Sequence, residues 1–261
     1  MYFEILGSKE PNAPTVVFSS GLGGSARFWE AQLPALQSDY KIVVYDQKGT
    51  GRSPASLPIN YSIQSMADEL LTLLDDINIA RCHFVGHALG GLVGLNIALQ
   101  RPEMLQSLVL VNAWSSPNPH TLRCFTVRQS LLTNCPPEMY LQAQALFLYP
   151  PNWIMDNIDR LEQEEQHMLE HFPNRDNLLI RINALSHFDI DLQLGTIKTD
   201  TLVVANKDDI LVPWQRSQVL TSGLANAALR TFDSGGHACT ITEPKMFNDL
   251  LLEHLAGYDA K

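Results

Sequence analysis

Six short runs rich in β-branched and aromatic residues recur along the chain: TVVFSSG (15–21), KIVVYD (41–46), RCHFVGH (81–87), SLVLVNA (107–113), TLVVANK (201–207) and ALRTFDSG (228–235). A strand that is apolar on both faces must be covered on both faces, and a mainly parallel sheet flanked by helices meets that condition. Between the runs, SIQSMADELLTLLDDI (62–77) and LGGLVGLNIALQ (89–100) carry apolar residues at helical spacing. Strand and helix alternating in this way predict an α/β doubly wound fold.

The rhythm stops between about Pro117 and Asp191. That stretch holds the helical segments TLRCFTVRQSLL, EMYLQAQALFLY, DNIDRLEQEEQHMLEH and NLLIRINALSHF, punctuated by prolines at 117, 119, 136, 137, 150, 151 and 173. The expectation is a core made of residues 1–116 and 192–261, with a helical cap over 117–191 placed to cover a pocket at the C-terminal ends of the strands. A chain of 261 residues buries enough surface to fold this way without disulfides or metals. Cys82, Cys124, Cys135 and Cys239 show neither metal nor redox spacing.

Charge narrows the class of partner. Lys plus Arg number 18 and Asp plus Glu 28, a net charge of −10, which argues against a polyanion such as nucleic acid. No apolar run reaches membrane-spanning length. The N-terminal MYFEILGSKEP lacks a basic segment followed by an apolar stretch, so no export signal is expected and a cytoplasmic location is.

Three turns at predicted strand ends carry polar residues in a telling order. Gly86-His87-Ala88-Leu89-Gly90 keeps the two glycines of a Gly-x-Ser-x-Gly nucleophile elbow and puts alanine at its centre. KDDILVP, ending at Pro213, follows the strand at 201–207, and SGGHAC, containing His237, follows the last strand. Elbow, then acid, then histidine is the order of the α/β-hydrolases, and the chain resembles that family over essentially its whole length. SSGLGGS (19–25) is similar to the family's oxyanion loop, with Ser20 where histidine is common, and YDQKGTGRS (45–53) to its Asp-x-Arg-Gly-x-Gly-x-Ser loop, with Lys48 in the arginine place. The family's acid stands four residues before the proline, which selects Asp209 over Asp208. A narrower resemblance, carried by GLGGS, YDQKGTG, GHALGG, RCFTVR, LFLYP, NLLIRINAL and GGHACTITEP, is to bacterial carbamate or aminoacrylate hydrolases of pyrimidine utilisation, whose elbow also carries alanine.

The resemblance implies roles. His237 acts as base, Asp209 fixes its tautomer, and the reaction at Ala88 proceeds with water in place of an attacking hydroxyl. The N–H groups of Leu22 and Leu89, with the N-terminal end of the helix starting at Leu89, face negative charge developing on a substrate oxygen. Hydrolases stripped of triad members keep roughly 10³ to 10⁴-fold catalysis over water, about 4 to 5.5 kcal/mol of barrier. That suits a compound already prone to decompose. Carbamate and aminoacrylate are of that kind, and neither needs an acyl-enzyme.

Other residues have plainer readings. His87 is expected to be a structural hydrogen-bonder and Cys239 a buried packer rather than a substitute nucleophile. Ser20 and Ser25 lie in the glycine-rich loop, where Ser20 is a candidate substrate contact. Arg123, Arg128, Asn177, Arg181 and Asn183 lie in the cap; Arg123 and Asn183 are the candidates for holding substrate, a guanidinium being suited to a carboxylate.

Two lookalikes are set aside. GLGGSA (21–26) with Asp46 fits a dinucleotide fingerprint but leaves the elbow, Asp209 and His237 unexplained. HMLEH (167–171) matches a His-x-x-Glu-His zinc pattern within an acidic helix and lacks a third ligand. The expectation is thus a hydrolase of a small molecule with no cofactor and no metal, and a homodimer on the family resemblance alone. A cofactor-free oxygenase of the same fold and a non-catalytic ligand binder are the competing readings.

Overall fold

The computed structural model describes residues 1–259. Seven strands, β1 (Phe3–Gly7), β2 (Thr15–Ser19), β3 (Lys41–Tyr45), β4 (Cys82–His87), β5 (Leu105–Val111), β6 (Thr201–Asn206) and β7 (Ala227–Phe232), form one sheet in the order β1-β3-β2-β4-β5-β6-β7. All pairings are parallel except β1 with β3. The α-helices are α1 (Leu33–Leu36), α2 (Ile63–Asp76), α3 (Leu89–Gln100), α4 (Pro119–Asn134), α5 (Pro137–Leu148), α6 (Pro151–Asp156), α7 (Ile158–Glu170), α8 (Arg175–Ser186), α9 (Gln215–Gly223), α10 (Cys239–Thr242) and α11 (Pro244–Asp259). None of them is long and apolar enough to cross a membrane.

The two-sided apolar runs divide between two cores. Phe84, Leu108, Leu110 and Val203 pack on the face covered by α2 and α3. Their alternating neighbours Val85, Val109, Val111, Leu202 and Val204 pack on the face covered by Phe247, Leu251 and Leu255 of α11. Successive side chains of a strand point to opposite faces, so each run feeds both cores. Helix α3 is buried from Leu89 to Ala98, as a helix apolar all round must be. Helix α2 starts at a capping box in which Ser62 and Ser65 satisfy each other's backbone N–H.

Helices α4 to α8 lie between β5 and β6 in the chain. Where this insertion leaves and rejoins the sheet, the Ser115 and Ser116 hydroxyls donate to the two carboxylate oxygens of Asp191 at 2.5 and 2.7 Å, and Arg216 donates to Ser116 at 2.7 Å. Farther out, Asn177 of α8 donates to the carbonyls of Gly49 and Ala55 and accepts from the N–H of Leu57.

Several boundaries differ from the sequence expectation. Strands stop at Ser19, Tyr45, Val111, Asn206 and Phe232, short of the apolar runs, because the last residues of each run bend into the turns that carry the site. Segment 156–171 is broken at Asn157, whose side chain bonds back to the carbonyl of Trp153 and ends α6 before α7 begins. The apolar-run reading misses β1, α9 and α11. β1 is an edge strand with partly exposed residues, so it lacks the doubly buried pattern.

Candidate active site

The turn after β4 is set by two close approaches. A Cβ at Gly86 would stand 2.6 Å from the Cα of Gly91, and one at Gly90 would stand 2.0 Å from the Ser19 carbonyl oxygen. Glycine at both positions lets α3 start directly against β2 and β4. Between them Ala88 adopts φ 47° and ψ −114°, a conformation costly for a residue with a side chain, of order 1–3 kcal/mol. The Ala88 N–H is spent on the carbonyl of Val111 at 2.9 Å. The sharp elbow is therefore built in full around a methyl group.

Asp209 and His237 come from the turns after β6 and β7. The Nδ1–H of His237 donates to Oδ2 of Asp209 at 2.7 Å, and both side chains are almost fully buried. The other oxygen of Asp209 accepts from the N–H groups of Leu211 and Val212, each at 2.8 Å. With both oxygens accepting from donors, Asp209 holds the imidazole in the tautomer that carries its hydrogen on Nδ1 and leaves Nε2 free of hydrogen. Nε2 has no hydrogen-bond partner among the described residues. The adjacent Asp208 serves the turn itself, accepting from the N–H groups of Gly235 and Gly236 at 3.1 and 2.9 Å and so shaping the approach to the histidine.

Two residues grip that turn from below. The carbonyl oxygen of His237 accepts from Nε2–H of His87 at 2.8 Å and from Nδ2–H of Asn112 at 2.7 Å. Asn112, at the end of β5 with φ 49°, also binds Asn206 through both ends of its amide. The His87 and His237 rings meet edge-on with centroids 4.7 Å apart, and Phe28 stacks on His87 from the other side. Burial, reinforced by the nearby His237 ring, holds His87 well below the usual imidazole pKa. His87 was expected as a structural hydrogen-bonder. Asn112 was not singled out, and its φ is invisible in the sequence.

The N–H groups of Leu22 and Leu89 have no intramolecular acceptor among the described residues. Gly24 donates its N–H to the Gly21 carbonyl at 2.9 Å, folding the loop that presents Leu22. Ser20 is buried with its hydroxyl unpartnered, while its carbonyl accepts from the Gln47 amide at 2.9 Å. Ser25 caps the short helical turn that follows, accepting from the Arg27 N–H.

The cap candidates fall differently from expectation. Arg123 and Asn183 are exposed, because the buried stripe of α4 runs through Thr121, Cys124, Phe125 and Arg128, and that of α8 through Asn177, Leu178, Arg181 and Leu185. The arginines turned inward are Arg128 and Arg181. Each lies three or four residues from apolar neighbours that pack in the core, a spacing that does not by itself set them apart in stripes so mixed with polar residues.

Three other features resolve simply. The Asp46 carboxylate is occupied by the N–H of Ala26 and by the backbone and guanidinium of Arg52, leaving no place for a ribose. Burial pushes the Cys239 thiol far up, which keeps it protonated and unreactive. His167, Glu170 and His171 do converge on the exposed face of α7, with ligand atoms within 4.8 Å, but Nε2 of His167 accepts from Arg27 at 2.7 Å and a cation there would face that guanidinium. Open clefts of about 490 Å³, beside Lys48, Arg52 and Glu69, and of about 270 Å³, beside Asp200 and Tyr258, touch neither His237 nor Ala88.

Comparison with known proteins agrees with the fold. The family described as alpha/beta hydrolase fold matches residues 14–132. A protein of Stutzerimonas stutzeri (strain A1501) named "Putative carbamate hydrolase RutD" is 59% identical over 256 residues, covering 98% of this chain and 97% of its own. One of the same name from Variovorax paradoxus (strain S110) is 49% identical over 261 residues, covering 100% of this chain and 97% of its own. Among solved structures, a hydrolase from Pseudomonas aeruginosa PA01 superposes with a TM-score of 0.87 at 26% identity, covering 97% of this chain and 93% of that one. Fold, elbow and sequence likeness together establish that the chain belongs to the α/β-hydrolase family, in the group of its RutD relatives.

Proposed function

We propose that the protein hydrolyses a small, intrinsically labile C–N compound, carbamate or aminoacrylate, by general-base activation of water, and that the step belongs to pyrimidine breakdown. The observation that carries this reading is the pairing of a complete elbow, acid and base with a methyl at residue 88: the Asp209–His237 bond is 2.7 Å, while Ala88 holds the strained elbow conformation. A side chain without a nucleophilic atom cannot form an acyl-enzyme, so His237 is left with a water to deprotonate.

For carbamate, Nε2 of His237 takes a proton from water as the oxygen attacks the carboxyl carbon. The N–H groups of Leu22 and Leu89 receive the charge on the substrate oxygen. The proton then passes from Nε2 to the nitrogen as the C–N bond breaks, giving ammonia and bicarbonate. For aminoacrylate, the enamine first becomes its imine tautomer. Water adds to the imine carbon under the same base, and ammonia leaves as the carbonyl forms. Asp209 supports the imidazolium in both, without itself taking the proton. The relatives' printed name supports the carbamate alternative.

The test is ammonia release from freshly generated carbamate and aminoacrylate by the unaltered protein and by His237→Ala. The expected result is catalysed release that His237→Ala lowers about tenfold or more, to what binding and the N–H donors sustain without a base. Release unchanged by His237→Ala removes the dyad from the mechanism. Oxygen uptake without ammonia would replace the hydrolase reading by that of a cofactor-free oxygenase.

A further inference from the structure

Two guanidiniums carried by the inserted helices are buried, and the Nε–H of each lacks an acceptor, but Arg181 uses both of its Nη groups and Arg128 only one. Arg181, 1% exposed, donates from Nη1 to the Leu22 carbonyl and the Thr50 hydroxyl and from Nη2 to the Lys48 carbonyl at 2.6 Å. It is a strut between α8 and the loops beneath. Arg128, 3% exposed, uses Nη2 alone, donating to the Tyr140 hydroxyl at 2.7 Å and the Gln144 side-chain oxygen at 3.0 Å. Its Nε–H is buried with no acceptor, and no carboxylate among the described residues pairs with it. A charge taken out of water costs several kcal/mol unless an opposite charge compensates it.

A second buried donor lies beside the same stripe. Trp114, 1% exposed, has no acceptor for its indole N–H, and its ring lies 6.0 Å from that of Phe125, one turn before Arg128. Both donors lie on segments tied to the dyad. The stripe bearing Arg128 also carries Thr121, whose hydroxyl donates at 3.1 Å to the carbonyl of Leu211, the residue whose N–H binds Asp209. Trp114 follows by two residues Asn112, which binds the His237 carbonyl. A buried guanidinium with unused donors and no carboxylate partner is suited to an anionic ligand.

We infer that Arg128, aided by the Trp114 N–H, binds a carboxylate of the substrate that is separate from the carbon under attack. This inference rests on the hydrolase reading for its reaction, but on buried donors for its ligand class. Of the two substrates above, aminoacrylate carries such a carboxylate, whereas the carboxyl of carbamate is itself the reacting group. Arg128 is thus a specificity-determining residue, and neutral analogues bind poorly.

The experiment is calorimetric titration of the full chain with propionate and with its neutral isostere propionamide, on the unaltered protein, Arg128→Met, Arg128→Lys, Trp114→Phe and the exposed control Arg123→Met. The expected result is propionate bound about tenfold or more tightly than propionamide, with the preference cut to within about twofold in Arg128→Met, partly kept in Arg128→Lys, weakened in Trp114→Phe and unchanged in Arg123→Met. Absence of propionate binding, equal affinity for the two ligands, or a preference that survives Arg128→Met overturns it. Should Arg128→Met fail to fold, an undiminished preference in both Arg128→Lys and Trp114→Phe overturns it equally. Ammonia release measured alongside separates the two readings: a carboxylate preference without turnover removes the hydrolase, and turnover without the preference removes the Arg128 site.

Discussion

His87 donates its Nε2–H to the backbone carbonyl of His237 across 2.8 Å, so one imidazole, next to the elbow, positions the main chain of the other. The bond fixes His87 as the neutral tautomer with Nδ1 unprotonated and buried.

That arrangement makes folding sensitive to mild acid. Because burial lowers the pKa of His87 from the usual 6.5, the unfolded chain takes up a proton there before the folded one does. Stability is therefore full above about pH 6.5 and is lost as pH falls below it, toward the lower folded value. His254, also lowered chiefly by burial, adds in the same direction. Urea titrations at pH 7.5 and 5.5 are expected to give a lower midpoint at 5.5, with a smaller drop in His87→Gln. An equal drop in both proteins would show that His87 is not a titrating group.

Asn112 holds the same carbonyl from the neighbouring strand end, and its φ of 49° suits glycine. Asn112→Gly keeps the backbone while removing the amide, so the base loop loses a fixed point. A misplaced base costs up to about 10²-fold in rate. The expected outcome is kcat lowered about 10- to 100-fold with KM little changed. A change confined to the melting temperature would mark Asn112 as merely structural.

Strain at Ala88 makes an unusual stability prediction. Glycine ordinarily costs about 0.4–1 kcal/mol through the unfolded chain, whereas relief of this conformation is worth of order 1–3 kcal/mol. Ala88→Gly is expected to raise the melting temperature. A lower one would show that the elbow stores no strain at this residue.

Asp209→Asn leaves a side chain of the same shape but presents an amide where a charge supported His237. The loss of tautomer control and of charge is expected to lower ammonia release by about tenfold or more while leaving it above the uncatalysed rate, since the share supplied by binding and the N–H donors does not depend on the triad. Circular dichroism unchanged from the unaltered protein, with activity also unchanged, would end the role given to Asp209.

Substituting serine at the elbow probes the rest of the apparatus. Ala88→Ser places a hydroxyl at the elbow, and a burst of p-nitrophenol from p-nitrophenyl acetate, absent in the unaltered protein, is the expected signature of an acyl-enzyme formed with His237 as base. No burst from a folded Ala88→Ser protein would mean that the hydroxyl and the imidazole do not meet.

Strand positions, the elbow and the order of acid and base were legible in the residues because local rules govern them. Doubly apolar runs require a covered parallel sheet, Gly86 and Gly90 mark a close approach of helix to strand, and polar residues after β6 and β7 emerge at the same edge of the sheet. The edge strand β1 escaped because its exposure blurs the pattern. Which cap arginines turn inward was decided by tertiary structure alone. The buried stripes of α4 and α8 contain threonine, cysteine, asparagine and arginine among their apolar residues, so hydrophobic periodicity could not say which polar side chains faced the core and Arg123 looked as good as Arg128. The grip of His87 and Asn112 on His237 likewise joins residues 150 and 125 positions apart in the chain. Local pattern carries no trace of such a contact, which exists only once the strands lie side by side and their turns are brought together.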